Sequence, residues 1–489
     1  MSGRLRLLVA CLATAVVLAP LTWMWASSLL PDEYSVMEMG YADFGDGSVL
    51  VEGAGHAGLH AGGVDIATFV HDPDRPADVK VHLVAEEKQY RLPSGRTVDG
   101  FALNGTSPGP DIRADEGDLV EVTVDNRSVA DGMTLHWHGI DVPNAMDGVA
   151  GVTQDAIGVG KSYTYRFVAE QVGTYWYHSH QVSHEQVKGG LYGAVVITPK
   201  DFDRDVVDVI ALRHTYATTR TVNGLEDDLV VDARPGQTAR VRVVNTDNAT
   251  MPVWVGAPYR MVAVDGTDVN EPTIVEDRWV EVTAGGRADL EIVMPEDGSG
   301  VRVELGGSSA VVLGGGGRAP EVEQPDEPLD LLDYGTQAPI GFDPAEATRE
   351  FEYAIDRRPG FLDGRPGLWW TVNGHPYPDI PMFMLTEGDI ATMRIENNSG
   401  EAHPMHLHGH HVVVLARDGE KATGSPWWTD SLHVREGESY DVAFLADNPG
   451  VWMDHCHNLT HAAEGLVAHM MYEGVTTPYF IGRAKNEPE

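Results

Sequence analysis

Apolar residues fall along this chain in two distinct patterns. Residues 7–30 form an almost uninterrupted apolar run, preceded by Arg4 and Arg6 and followed by Asp32 and Glu33. That length spans a bilayer as a helix, and the flanking basic residues put the N-terminal side in the cytoplasm. Beyond residue 84 the pattern changes to short period-two runs, such as Leu119-Val120-Glu121-Val122-Thr123-Val124, split by Gly, Pro and Asn. Side chains alternate faces along a strand, so this patterning predicts β-sandwiches, and no long helical period competes with it.

Residues 1–35 are read as an uncleaved anchor, with a signal peptide cleaved near Ala26-Ser27-Ser28 as the rival; a signal's apolar core is usually shorter. Leu8-Val9-Ala10-Cys11 superficially resembles a lipid-attachment site, but apolar residues continue after it. Either way, the body of the protein is expected outside the cytoplasm, anchored to the membrane or secreted if the segment is removed.

The strand pattern is written three times. Asn104-Gly105, Glu116-Gly117-Asp118, a strand over 119–124, Asn126 and His136-Trp137-His138-Gly139 form the first copy. Asn373-Gly374, Glu387-Gly388-Asp389, a strand over 390–395, Asn397 and His406-Leu407-His408-Gly409 form another. A degenerate middle copy runs from Asn223-Gly224 to Val253-Trp254-Val255-Gly256, with valines where the outer copies have histidines. The second halves repeat too: Gly173 leads to His178-Ser179-His180, and Gly450 leads to His455-Cys456-His457. Such self-similarity predicts three related β-sandwiches, 85–200, 201–315 and 330–480, joined to the last by a Gly-, Pro- and acid-rich linker. Only the first and third carry metal chemistry.

Composition then narrows the function. With 34 Lys and Arg against 74 Asp and Glu, the formal charge of -40 argues against nucleic acid, which needs a basic face. The two cysteines are Cys11, inside the apolar run, and Cys456, so no disulfide between them is expected. A lone thiol flanked by histidines reads as a metal ligand or a nucleophile.

In a strand the two histidines of a His-x-His triplet project to one face. Four triplets occur, at 136/138, 178/180, 406/408 and 455/457, and eight imidazoles converge if the outer units face each other. These alone suit copper, zinc, iron or nickel. Cys456 points to the opposite face from His455 and His457, so a second site can sit behind the strand. Cys456, His461 and His403 make the two-His one-Cys set of a blue-copper electron-transfer site. His184, His214, His410, His411, His433 and His469 are read as ordinary polar or ligand-supporting residues, and Trp427 and Trp428 as core or loop anchors.

The segments His136-Trp-His-Gly, His178-Ser-His, His403-Pro-Met-His-Leu-His-Gly and His455-Cys-His-Asn-Leu-Thr-His461 together resemble the four copper-binding segments of the multicopper oxidases, three-domain laccase-like branch of bacterial type. The resemblance spans residues 100–475. It implies an all-β fold of three cupredoxin-like Greek-key sandwiches behind the N-terminal segment, and four copper ions. His403, Cys456 and His461 would hold the blue type 1 copper, and His136 and His406 the type 2 copper. His138, His178 and His457 would bind one member of the type 3 pair, and His180, His408 and His455 the other. Asp147 matches a carboxylate that helps deliver protons, with a plain turn aspartate in Asp147-Gly148 as the rival reading. The chain departs from many bacterial relatives at Thr460, where a carboxylate can sit in that path. Ten residues after the cysteine, the axial position falls on Leu466, which offers no donor atom; Met470 and Met471 are the competitors.

The implied activity couples four one-electron oxidations of a small reducing substrate, phenols or aromatic amines first, to reduction of O₂ to water. Metal ions such as Cu(I), Fe(II) or Mn(II) are the alternative donors, though no Met-rich insert of the kind that gathers Cu(I) is present. A non-enzymatic copper-binding scaffold is the reading from another class; it would be expected to have lost ligands. The resemblance further implies a monomer.

Overall fold

The computed structural model describes residues 3–45, 49–50, 62–71, 74–92, 95–307 and 309–489. Among them the period-two runs form strands throughout, paired into three successive two-sheet units. In the first unit, the sheet of Val79–Arg91, Thr97–Leu103, Leu119–Asn126 and Ser162–Val168 packs on that of Ile112–Asp115, His136–His138, Gly173–His178 and Tyr192–Thr198. Val122, Trp137, Tyr165, Tyr177 and Val195 from both sheets share one buried core. The leading strand pairs parallel to Leu119–Asn126 rather than to its chain neighbour alone, the crossover expected of a Greek key.

The middle unit repeats the plan with two six-stranded sheets around Val241, Val253, Leu290 and Val303. Its strand Met251–Val255 stands where the outer units carry their first histidine pair. The third unit packs a seven-stranded against an eight-stranded sheet over a larger core that includes Phe383, Trp452, Cys456 and Leu466. A further apolar cluster joins all three units: Trp176 and Tyr192 from the first, Leu212 and Val244 from the second, and Leu459 from the third.

The segment before the first unit is not a free linker. Tyr41–Asp43 adds as a parallel strand to Pro381–Leu385, and Tyr34 and Ile481 exchange backbone hydrogen bonds of 3.1 and 2.9 Å. Residues 34–43 therefore complete the third unit, an assignment that the period-two pattern left open because three residues are too few to show it. Gly3–Ser27 is one helix, long and apolar enough to cross a membrane, with no residue buried against the protein. That is compatible with an anchor or a signal segment.

Candidate metal centre

Matching strand pairs in the outer units set the histidines. In the first, His138 lies opposite Trp176 and His136 opposite His178; in the third, Met405 lies opposite Cys456 and His406 opposite His455. Strand alternation then sends His136, His138, His178, His180, His406, His408, His455 and His457 into the seam between the units, where all eight are buried. His136 Nε2 lies 3.3 Å from His406 Nε2, His408 Nε2 3.2 Å from His455 Nε2, and His180 Nε2 3.4 Å from His455 Nε2. The ligand atoms of His180, His408 and His455 converge, as do those of His136, His138 and His178, and of His136, His406 and His408. His457 lies beside His138 and His178, with ring centroids 4.9 and 5.6 Å away.

Burial drives the imidazoles of His138, His178, His180, His408, His455 and His457 well below the usual histidine range, and neighbouring rings add to it. Neutral rings thus face one another through lone pairs. Moreover, His138 Nδ1, His178 Nε2 and both nitrogens of His457 are buried with no hydrogen-bond partner. Buried polar atoms normally find partners, so this set fits a cluster of cations with imidazole ligands.

Behind the strand, His403 Nδ1 and His461 Nδ1 approach Cys456 Sγ to 3.6 and 3.7 Å and each other to 3.1 Å. Their outer nitrogens are held by Ser399 Oγ at 2.7 Å and Asn458 Nδ2 at 3.0 Å. Burial lowers His403 to about 3 and pushes the Cys456 thiol up. A soft cation is what stabilises a thiolate there, and the donor set suits copper. Trp370 walls the site, its ring 4.7 Å from His403 and 4.6 Å from His461. Leu466 is fully buried in the same core, and its carbonyl accepts the Cys456 N–H at 3.1 Å. Met470 and Met471 pair with Trp452 and Val451, roughly 13 and 17 Å along the strand from Cys456.

Asp147 is buried with carboxylate oxygens 3.1 Å from His136 Nδ1 and His408 Nδ1, so it touches a histidine of each outer unit. Sequence reasoning did not single out Asp430, its counterpart. Asp430 Oδ1 lies 3.1 Å from His138 Nε2, and the Asp430 carbonyl accepts His406 Nδ1–H at 2.8 Å. Arg287, from the middle unit, clamps the Asp430 carboxylate at 2.7 and 2.5 Å. Burial alone raises a carboxyl, yet Arg287, His138, His406 and His411 hold Asp430 well below the usual range. His411, caught between Asp141 and Asp430, is raised to about 10 despite burial. The middle unit also approaches through Gly285, at φ +79°, where a Cβ would stand 2.7 Å from the His138 ring and 3.0 Å from His457. No motif marks Asp430 or Arg287; only the fold brings them to the seam. Glu489 completes the wall, its Oε1 3.3 Å from His455 Nδ1, and burial raises it to about 8.

Comparison with known proteins agrees with this geometry. Sequence models described as multicopper oxidase match residues 85–201 and 350–474. The chain is 27% identical to Multicopper oxidase MmcO of Mycobacterium tuberculosis, over 77% of this chain and 84% of that protein. It is 28% identical to Laccase-1 of Botryotinia fuckeliana, over 74% and 77% respectively. It is also 26% identical to Iron transport multicopper oxidase FET3 of Candida glabrata, over 78% and 75%. Among solved structures, a multi-copper oxidase from Pseudomonas thermotolerans superposes with a TM-score of 0.66 at 27% identity, covering 80% of this chain and 98% of that one. The chain belongs to the multicopper oxidases, in their three-domain laccase-like form, and is a four-copper oxidoreductase with O₂ as acceptor.

Proposed function

We propose that the donor is a phenol or aromatic amine, oxidised one electron at a time beside Cys456, with O₂ reduced to water in the histidine seam. The observation that carries this reading is one strand end: Cys456 turns toward His403 and His461, while His455 and His457 enter the seam. When bound, copper supplies one-electron transfer at the first site and four-electron reduction of O₂ at the second.

In this reading His403, Cys456 and His461 hold the electron-accepting ion. His136 and His406 hold the lone ion of the seam, with His138, His178 and His457 on one member of the pair and His180, His408 and His455 on the other. The peptide links from Cys456 to its two neighbours are the short path between the sites. Leu466, buried in the same core as Cys456, would offer a copper held there no further donor atom. Asp147, reaching histidines of both outer units, holds and passes protons, and Thr460 leaves it without a second carboxylate in the family position. The working units are 85–200, 201–315 and 330–480, on a monomer held outside the cytoplasm by residues 1–35.

A metal-ion donor is the second reading. Glu401 Oε2 lies 3.4 Å from His461 Nε2, and Glu464 accepts the Trp370 indole N–H at 3.0 Å, so two carboxylates stand at the rim where a cation would bind. The relatives named for iron transport fit that reading. O₂ uptake by copper-loaded full chain, with phenols, aromatic amines, Fe(II), Cu(I) and Mn(II) as donors, separates the two. Turnover of metal ions alone would replace the first reading with the second.

A further inference from the structure

The third unit carries a long hairpin, Arg349–Leu362 with Arg365–Val372, closed by Asp363-Gly364 with φ +46° and +70° at the two turn positions. Both signs are those of the tight turn that favours a Gly at its second position. Only the first half of the hairpin belongs to the sheet: residues 349–355 pair with 391–397, whereas 356–362 pair with 365–371 alone. The outer half is a two-stranded ribbon projecting past its neighbours. Such ribbons are marginal in water unless something covers them.

The ribbon joins two places already described. At its base, Trp370 walls the Cys456 site, with the Arg357 guanidinium stacked on it at 4.6 Å. At its tip it meets the end of the apolar helix: the Ser28 carbonyl accepts the Asp363 N–H at 2.9 Å, and Trp25 and Leu29 pack at Gly364. Leu368 is 55% exposed and Leu29 46% exposed. Arg358 and Arg365 stand exposed on the other face of the ribbon, opposite Trp369 and Leu362, with no carboxylate partner among the described residues, in a chain whose formal charge is -40. Trp23 and Trp25, at the same end of the helix, are the residue type favoured at membrane interfaces.

We propose that this ribbon is a bilayer-docking element. Its tip and the end of the helix rest in the headgroup layer of a membrane rich in anionic phospholipid, and the rim of the Cys456 site is turned toward that surface. With the tip of the ribbon lowered into the surface, apolar Leu29 and Leu368 enter the acyl boundary, while Arg358 and Arg365, on the ribbon's other face, meet lipid phosphates. Resting on the phenol-donor reading, this arrangement favours an amphiphilic hydroquinone that partitions into the bilayer. Two hydroquinones each lose two electrons and two protons to become quinones, and one O₂ takes up the four electrons and four protons to give two waters.

The full chain, in vesicles of phosphatidylcholine with or without phosphatidylglycerol, provides the test. A fluorophore on Leu368→Cys in a Cys11→Ser background is read against one on Ile274→Cys, an exposed site in the middle unit. Acyl-brominated lipids should quench the label at 368 at least threefold more than that at 274, more so with phosphatidylglycerol; equal quenching overturns the docking. The Arg358→Glu, Arg365→Glu, Leu368→Glu triple variant should raise the apparent KM for a long-alkyl hydroquinone in vesicles about tenfold and leave that for a water-soluble hydroquinone unchanged. Equal changes in both overturn the membrane-facing rim. Failure of the parent chain to oxidise either hydroquinone overturns the donor reading instead, and leaves the quenching result standing.

Discussion

On the proposed reading, Leu466 is a single residue on which the oxidising strength of the Cys456 site turns. A methionine sulfur would favour copper(II) over copper(I), whereas a buried leucine favours neither, so the reduction potential is expected to be high. Redox titration of Leu466→Met should give a lower potential with four coppers retained; an unchanged value would remove residue 466 from the axial place. Asp147 works at the other end. Its carboxylate touches His136 and His408, and Asp147→Asn should slow reoxidation by O₂ about 10- to 100-fold while donor reduction of the blue site stays nearly constant. Stopped-flow traces of the two half-reactions decide between that and a general loss of structure. Both residues were singled out in the sequence because each sits at a fixed distance from a motif, and the structure brings Asp147 onto His136 and His408. Asp430 was not, since its partners come from three separate stretches of chain: His138, Arg287 and His406.

Among the elements, the strand Val451–Cys456 carries the most. Alternation along it, legible in His455-Cys456-His457, divides one strand end between two metal sites. Cys456→Ser should leave the fold intact, abolish the intense blue absorption and stop turnover together; a variant that stays blue would refute the ligand assignment. The repeat made the eight seam histidines readable, because each appears twice in register. Short elements were harder. Tyr41–Asp43 shows no period in three residues, and its pairing with Pro381–Leu385 joins opposite regions of the sequence. The hairpin tip over 357–370, rich in Gly, Pro and Arg, reads locally as a loop rather than as a ribbon.

For the whole molecule, the middle unit holds no histidine of the seam, yet it tensions it. Arg287→Met would leave the buried Asp430 carboxylate with His411 as its remaining cationic partner, at a cost below the roughly 3–5 kcal/mol of a fully unpaired buried charge. Thermal unfolding should register that loss, and the type 2 electron paramagnetic resonance signal should change shape while the blue band persists; Arg287→Lys should restore part of both. A second joint lies at Glu281, which meets His433 at 2.9 Å and Arg435 across the boundary between the middle and third units. Burial raises this carboxyl, but His433 and Arg435 outweigh it and hold it below its ordinary range. Its stabilisation is therefore full above about pH 4.3 and is lost as pH falls through the lowered folded value. Melting curves of Glu281→Gln should lose on the order of 1 kcal/mol near neutrality and show a flatter decline in acid. The strand at Tyr41–Asp43 has a further consequence, for the order of assembly. It leaves the ribosome before all three sandwiches, yet the sheet it enters is complete only once Val467–Tyr472 has been made. Until Pro381–Leu385 has been made, this early strand has only Val49–Leu50 to pair with, and the Cys456 site, whose residues run from His403 to His461, can be assembled only in a nearly finished chain.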